Sequence, residues 1–414
     1  SPTPFHATRL MREKLLSQGF IELDEGKAWD LSVGESYLAT RNDSSLIAFT
    51  LGEHPPVTTG FRMIGAHTDS PCLRIKPTPE ITAQTYFQLG VEVYGGALLN
   101  PWFDRDLSIA GKVSYQTPQG ELKNTLLDFQ RPIAAIPSLA IHLDREANKQ
   151  RSVNAQTHLP PILMHHQKND ATDFRSLLRD ELLDQEPSLD IETVLDYELS
   201  FYDCAAPSLI GLHDDFIASA RLDNLLSCFV GMKSLLDAQG SYNQLLVCTD
   251  HEEVGSASSC GADGPFLESI LNRILGSTEA FSRCMEYSLL ISVDNAHGVH
   301  PNYADKHDHN HGPLLNQGPV IKINANQRYA TNSETSALFK QLCTLANVPV
   351  QSFVVRSDMA CGSTIGPISA SRLGVRTLDV GVPTFAMHSI RELAGARDAW
   401  HLYHPLKLFL ENAN

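Results

Sequence analysis

The sequence predicts an α/β fold in which a mixed sheet flanked by helices is interrupted by an inserted β-rich domain. Three observations carry this. From about residue 205 onward, apolar β-branched runs alternate with amphipathic helices. Between about 78 and 200 the texture changes to strands separated by turn residues. The opening 77 residues carry strand-like runs that belong with the last part of the chain. At 414 residues the chain exceeds what one ordinary core fills, so about two domains are expected. Their boundaries are placed at 1–77 with 203–414 for the α/β domain, and at 78–202 for the insertion.

Taken in order, the elements begin with a helix. Thr3 can cap it, Pro4 fits its first turn, Ala7, Leu10, Met11 and Leu15 mark one face, and Gly19 stops it. Short β-like runs follow, SLIAFTLG at 45–52 and FRMIGAHTD at 61–69. In the insertion, YFQLGVEVYGG, SIAGKVSYQT and TLLDFQ read as antiparallel strands parted by turns such as TPQGE. It closes with a polar, acidic run, QKNDATDFRSLLRDELLDQEPSLD, expected to hold a surface helix or loop. ARLDNLLSCFVGMKSLLDAQG is an amphipathic helix with Leu222, Leu225, Leu226, Phe229, Val230 and Leu236 expected to face inward. QLLVCTD, YSLLISVD, PVIKIN, SFVVR and VRTLDVG read as strands buried on both faces, with ETSALFKQLCTLAN a helix between two of them.

Composition narrows the function classes. Hydrophobic residues make up 42% and charged residues 19%, as in a well-packed globular chain. A net charge of −16 opposes phosphate backbones and anionic lipid, so neither a nucleic-acid nor a membrane partner is expected. The eight cysteines form no C-x-x-C pair and sit mostly in apolar runs, the pattern of reduced, buried thiols in a cytoplasmic protein. The opening SPTPFHATRLMREKLL lacks the charged-then-apolar design of a signal peptide, and its lack of a Met fits a trimmed start.

The chemistry gathers where strands end. FRMIGA runs into His67 and Asp69, QLLVCTD into His251, Glu252 and Glu253, YSLLISV into Asp294, and LDVGVP leads to His388. The C-terminal edge of such a sheet is where sites are built. Asp223 joins them at the start of the amphipathic helix. His67, Asp223, Glu253, Asp294 and His388 are nitrogen and oxygen ligands suited to zinc, and equally to manganese or cobalt. If Asp223 bridges two ions, His67, Asp223 and Asp294 serve one, and Asp223, Glu253 and His388 the other. Three protein ligands with an open position mark a catalytic rather than a structural ion. Asp69 can accept the second imidazole N–H of His67. Glu253 is assigned as ligand and Glu252 as general base, although spacing alone also permits the reverse.

Each piece has a blander reading. Adjacent acids are commonly a solvated loop, an H-x-D pair a structural hydrogen bond, and Asp223 a helix N-terminal acid. Asp294 could cap a turn and His388 could be a satisfied core histidine. Their coincidence at strand and helix ends favours one site. Histidines 297, 300, 307, 309 and 311 are irregularly spaced and read as a mobile or interface loop, not as ligands.

At these residues the sequence resembles the aspartyl aminopeptidase family of zinc metalloexopeptidases. The resemblance rests on GAHTDSPCLRIKP, ARLDN, DHEEVGS, VDNAHGVHPNYADKH, GPVIKINANQRYAT, CGSTIGPI and MHSIRE, and extends through VEVYGGALLNPWFDRDLSIAG and AIHLDR in the insertion. It implies a zinc-peptidase-like catalytic domain, an inserted dimerisation domain, two zinc ions per subunit and a large homo-oligomer, a tetrahedral dodecamer built from dimers. It implies that His142 of AIHL reaches a neighbouring subunit's active site and that Lys322 of VIKIN and Tyr329 of RYAT contact substrate. The expected activity is removal of an unblocked N-terminal Asp or Glu from peptides. Glu252 would be the base, His142 a donor to the oxyanion, and Lys322 the charge meeting the substrate carboxylate. One departure is at the start, where a short stretch carried by relatives is missing, with consequences expected for subunit packing. The cluster by itself also suits a dipeptidase, carboxypeptidase or deacylase, or a metal-stabilised scaffold, although a scaffold has no use for Glu252.

Overall fold

Near-continuous apolar runs build a nine-stranded mixed sheet whose central strands are buried on both faces. In the computed structural model, which describes residues 1–165 and 172–412, its strands lie in the following order: Ile21–Glu22, Ser36–Arg41, Ser45–Thr50, Asn243–Thr249, Phe61–His67, Leu289–Val293, Arg376–Gly381, Val320–Lys322 and Gln351–Phe353. The four from Asn243–Thr249 to Arg376–Gly381 are mutually parallel. Along Leu245-Leu246-Val247-Cys248 successive side chains enter opposite cores. Leu246 and Cys248 meet the helices Leu222–Asp237, Ser333–Leu345 and Asp398–Glu411 through Leu226, Phe339 and Leu406. Leu245 and Val247 meet Phe266, Ile270 and Met285 from the helices Phe266–Leu275 and Thr278–Tyr287. The fold class is therefore the mixed α/β sheet that the sequence predicts.

Two compact units divide the chain. One comprises Ser1–His6, Pro71–Ala206 and His388–Arg391; the other comprises Ala7–Ser70, Pro207–Met387 and Glu392–Asn414. The first holds a six-stranded antiparallel sheet in the order Leu122–Asp128, Leu107–Gln116, Thr193–Asp203, Cys72–Ala83, Tyr86–Tyr94 and Ile162–His165. Within the acidic run, residues 167–171 lie outside the described residues. After them comes a helix, Phe174–Gln185, capped by Asp173, which buries Phe174, Leu178 and Leu182. The second unit holds the nine-stranded sheet and a five-stranded one.

One expectation fails within the helix Leu222–Asp237. Phe229 was expected inward and is 59% exposed. The buried stripe runs instead through the small residues Ser227, Gly231 and Ser234. A Cβ on Gly231 would stand 2.9 Å from Leu246 Cδ1 and 3.1 Å from Ile64 Cγ2, so the helix lies too close to the sheet for a large side chain there.

A buried carboxylate fixes the approach to the strand that carries Lys322. Asp398 accepts hydrogen bonds from the N–H groups of Asn316 (2.6 Å) and Gly318 (3.0 Å), just before Val320–Lys322. Burial pushes this carboxyl up to about 6, against the pull of those two donors. The folded state therefore holds the proton more tightly than the unfolded chain, whose aspartates titrate near about 3.9. Asp398 contributes most stability below that value, and loses it as pH rises through about 6. Comparing urea unfolding of the wild type and Asp398→Asn, wild-type stability should fall relative to the variant between pH 4 and 6, by on the order of 3 kcal/mol. A pH-independent difference would contradict this reading.

Candidate metal centre

The parallel strands end on one edge, and the site is assembled there. His67 closes its strand with its Nε2 3.4 Å from Asp223 Oδ1, 3.6 Å from Asp294 Oδ1 and 3.9 Å from Glu252 Oε2. Its other nitrogen, Nδ1, faces Asp69, 3.1 Å from the carbonyl and 3.4 Å from the carboxylate. Donor atoms of His67, Glu252 and Asp294 lie within 4.8 Å of one another, as do those of His67, Asp223 and Glu253. Six of the residues singled out from the sequence, His67, Asp69, Asp223, Glu252, Glu253 and Asp294, thus converge within the second unit.

Local structure holds each in place. The Asp69 carboxylate accepts from the backbone N–H groups of both Glu252 and Glu253, each at 3.1 Å, so it orients the imidazole and the two-glutamate turn together. Asp223, joined to Asn224 by a cis peptide bond, donates its N–H to Glu392 Oε2 at 2.9 Å and accepts at its carbonyl from Ser70 Oγ at 2.6 Å. Asn224 Nδ2 donates to the Val293 carbonyl at 2.8 Å, tying the helix start to the strand that presents Asp294. Gly381 lets that strand approach, since a Cβ there would stand 1.7 Å from the Asp294 carbonyl. Arg221, His251 and His388 adopt left-handed backbone with φ of 57°, 65° and 67°. Such strain in non-glycine residues gathers at functional sites. Ser70, Asn224 and Glu392 are not singled out from the sequence, although each lies in a quoted motif: GAHTDSPCLRIKP, ARLDN and MHSIRE respectively.

The electrostatics are dominated by packed acids. Burial would lower the His67 imidazole, but Glu252, Asp223, Asp294 and Asp69 outweigh it and hold it well above its ordinary value. Burial pushes the Glu252 carboxyl up to about 7, with His67 opposing and Asp294, Asp69 and Asp223 adding to the rise. A pocket that raises a histidine this way calls for positive charge. Its nitrogen and carboxylate oxygens are the donors that zinc, manganese and cobalt accept, so the residues fit a divalent metal.

The remaining candidates are placed differently. Lys322 is buried, and its ammonium donates to Asp294 Oδ2 and to the Asn295 carbonyl, both at 3.1 Å. It lies 5.1 Å from the ring centre of Tyr329, which is also buried. Tyr329 lines a cavity of about 270 Å³ together with His297, Lys306, His307, Phe353 and Cys361. His388 belongs to the first unit, where its Nδ1 lies 3.1 Å from the Gly96 carbonyl. His142 sits in an exposed loop of the same unit, beside Leu139, Ile141 and Leu143, which are 59%, 48% and 75% exposed.

Comparison with known proteins agrees with this chemistry. A family model described as aminopeptidase I zinc metalloprotease (M18) matches residues 1–410. A probable M18 family aminopeptidase 2 from Ectopseudomonas mendocina is 62% identical over 409 residues, spanning 99% of this chain and 95% of its own. The cryo-EM structure of the Ape4 and Nbr1 complex aligns with a TM-score of 0.95 at 40% identity, covering 99% of this chain and 83% of that one. The mApe1 dodecamer of S. cerevisiae aligns with a TM-score of 0.81 at 28% identity, covering 99% and 92%. With a match spanning nearly its whole length, the chain belongs to the M18 family, the aspartyl aminopeptidases, and is a metal-dependent aminopeptidase.

Proposed function

We propose that the enzyme removes an unblocked N-terminal Asp or Glu from peptides at a two-metal site, with Glu252 as general base. The observation that carries this is the convergence of Asp223, Asp294, Glu252 and Glu253 on His67. In this reading His67, Asp223 and Asp294 hold one ion and Asp223 and Glu253 the other, with His388 assigned as the remaining ligand on sequence grounds. When bound, two zinc ions would polarise the scissile carbonyl and make water acidic enough to attack near neutral pH. Glu252 takes the water proton at its carboxylate and passes it to the departing amine. Asp69 keeps the His67 ring and the Glu252–Glu253 backbone in register throughout.

Selection of an acidic residue rests on the cationic groups beside the site. Lys322 is engaged with Asp294, and Lys306 lines the adjacent cavity with Tyr329. Together these offset a chain of net charge −16 at the one place where a carboxylate must enter. We assign residues 78–202 to oligomerisation. The apolar side chains exposed around His142 fit a loop that inserts into a neighbouring subunit, where the imidazole could donate to the oxyanion. The similarity to a dodecamer supports the same assembly here. No helix among the described residues is long and apolar enough to cross a membrane; we assign the enzyme to the cytoplasm on its free, mostly buried cysteines.

Three measurements test this reading. Glu252→Gln should retain its fold and metal while kcat falls by about 10²-fold or more; near-normal turnover would remove Glu252 as base. For Lys322→Ala, kcat/KM should be compared between peptides differing only in an N-terminal Asp or Ala. The ratio should drop roughly 10- to 100-fold, the worth of a hydrogen bond to a charged group. An unchanged ratio would take Lys322 out of acid recognition. Acetylating the peptide N-terminus should abolish cleavage, and persistent hydrolysis would favour a deacylase or carboxypeptidase.

A further inference from the structure

A second donor cluster lies immediately before the two-glutamate turn and plays no part in the proposed mechanism. Asp250, His251 and Cys260 each offer a ligand atom within 4.8 Å of the other two. The Cys260 sulfur stands 3.6 Å from His251 Nδ1, and the Ser258 hydroxyl lies 2.9 Å from that nitrogen and 3.6 Å from the sulfur. Ser44 Oγ points to the same sulfur at 4.0 Å. Bonds of about 2.3 Å to sulfur and about 2.0–2.1 Å to nitrogen, meeting at a tetrahedral angle, put those two atoms about 3.5 Å apart. The observed 3.6 Å fits that sulfur–nitrogen edge. Asp250 Oδ2, by contrast, stands 3.5 Å from the other ring nitrogen, Nε2, so an ion bound at Nδ1 must displace the Ser258 hydroxyl and draw the Asp250 carboxylate toward it. Asp250 and Cys260 are buried, whereas the imidazole is partly exposed and offers a path from solvent.

The backbone of the cluster is held from several sides. Ser45 Oγ donates to the Cys260 carbonyl at 2.9 Å and accepts from the Asp250 N–H at 2.8 Å, and the Ser256 N–H donates to the His251 carbonyl at 2.7 Å. Burial pushes the Cys260 thiol up, but hydrogen bonds with His251 and Ser258 outweigh it and the net shift is downward. A sulfur, nitrogen and oxygen donor set differs in kind from the imidazole–carboxylate centre. Thiolate selects zinc and cadmium over magnesium, calcium and manganese.

We propose that Asp250, His251 and Cys260 form a further metal site that takes a thiophilic divalent cation such as Zn²⁺ or Cd²⁺. Binding releases the thiol proton to solvent. Because the same segment continues directly into Glu252 and Glu253, an ion drawn against Asp250 and His251 displaces that turn and slows turnover. This second part rests on the roles proposed above for the two glutamates; the binding itself does not.

Cadmium is the probe. Wild type, Cys260→Ser and Cys260→Ala, each carrying only two equivalents of zinc per subunit, are titrated with cadmium chloride, following the ultraviolet thiolate-to-cadmium charge-transfer band and the metal retained after dialysis. The other seven of the eight cysteines are common to all three proteins, so the difference isolates Cys260. The wild type should show an added band and one more cadmium per subunit than either variant. Both variants should keep basal activity, and should need about 10-fold more cadmium for half-inhibition. Equal bands and equal metal content would overturn the site, whatever the activity. The extra ion and band without a difference in inhibition would overturn the coupling to the glutamate turn.

Discussion

Five carboxylates held around one buried imidazole are the constraint on which the rest of this structure turns. Asp69, Asp223, Glu252, Glu253 and Asp294 all lie close to His67 or to one another through it. Like charges at such spacing, away from water, repel by several kcal/mol even at the effective dielectric typical of proteins. Cations must relieve that repulsion. The imidazole raised well above its ordinary value and the ammonium of Lys322 on Asp294 are the protein's own responses. Divalent ions are the response the donor set is built to receive.

The sheet supplies the convergence, and backbone hydrogen bonds supply the precision. Parallel strands in register bring His67, the Glu252–Glu253 turn and Asp294 to one edge from segments far apart in sequence. Asp69 then couples the imidazole to that turn, while Asn224 and Glu392 couple the start of the Asp223 helix to its surroundings. These supports explain how acids can be kept at close quarters before any ion arrives. Groups locked by their neighbours are also what catalysis requires, since reorganisation during reaction is thereby avoided.

Much of this was legible in the sequence because it follows from short-range rules. Alternating apolar runs identified the strands, and a chemistry-bearing residue just past the end of each one identified the edge. What escaped was whatever depends on how closely elements approach. Phe229 was expected inward because it is large and apolar, yet the helix lies so near the sheet that Ser227, Gly231 and Ser234 occupy the contact. Ser70, Asn224 and Glu392 act through backbone contacts that leave no mark on periodicity. The hydrogen bond from Lys322 to Asp294 likewise depends on a three-dimensional juxtaposition that the VIKIN run does not reveal.

The central claim is that the acid cluster is a two-ion centre with Asp223 shared between the ions. Anomalous diffraction at the zinc absorption edge, from crystals of the Cys260→Ser protein loaded with two equivalents of zinc, tests it most directly. The account predicts two peaks per subunit about 3.5–4 Å apart, with Asp223 between them and His67 and Glu253 on opposite sides. A single peak, or two peaks that share no carboxylate, would contradict it.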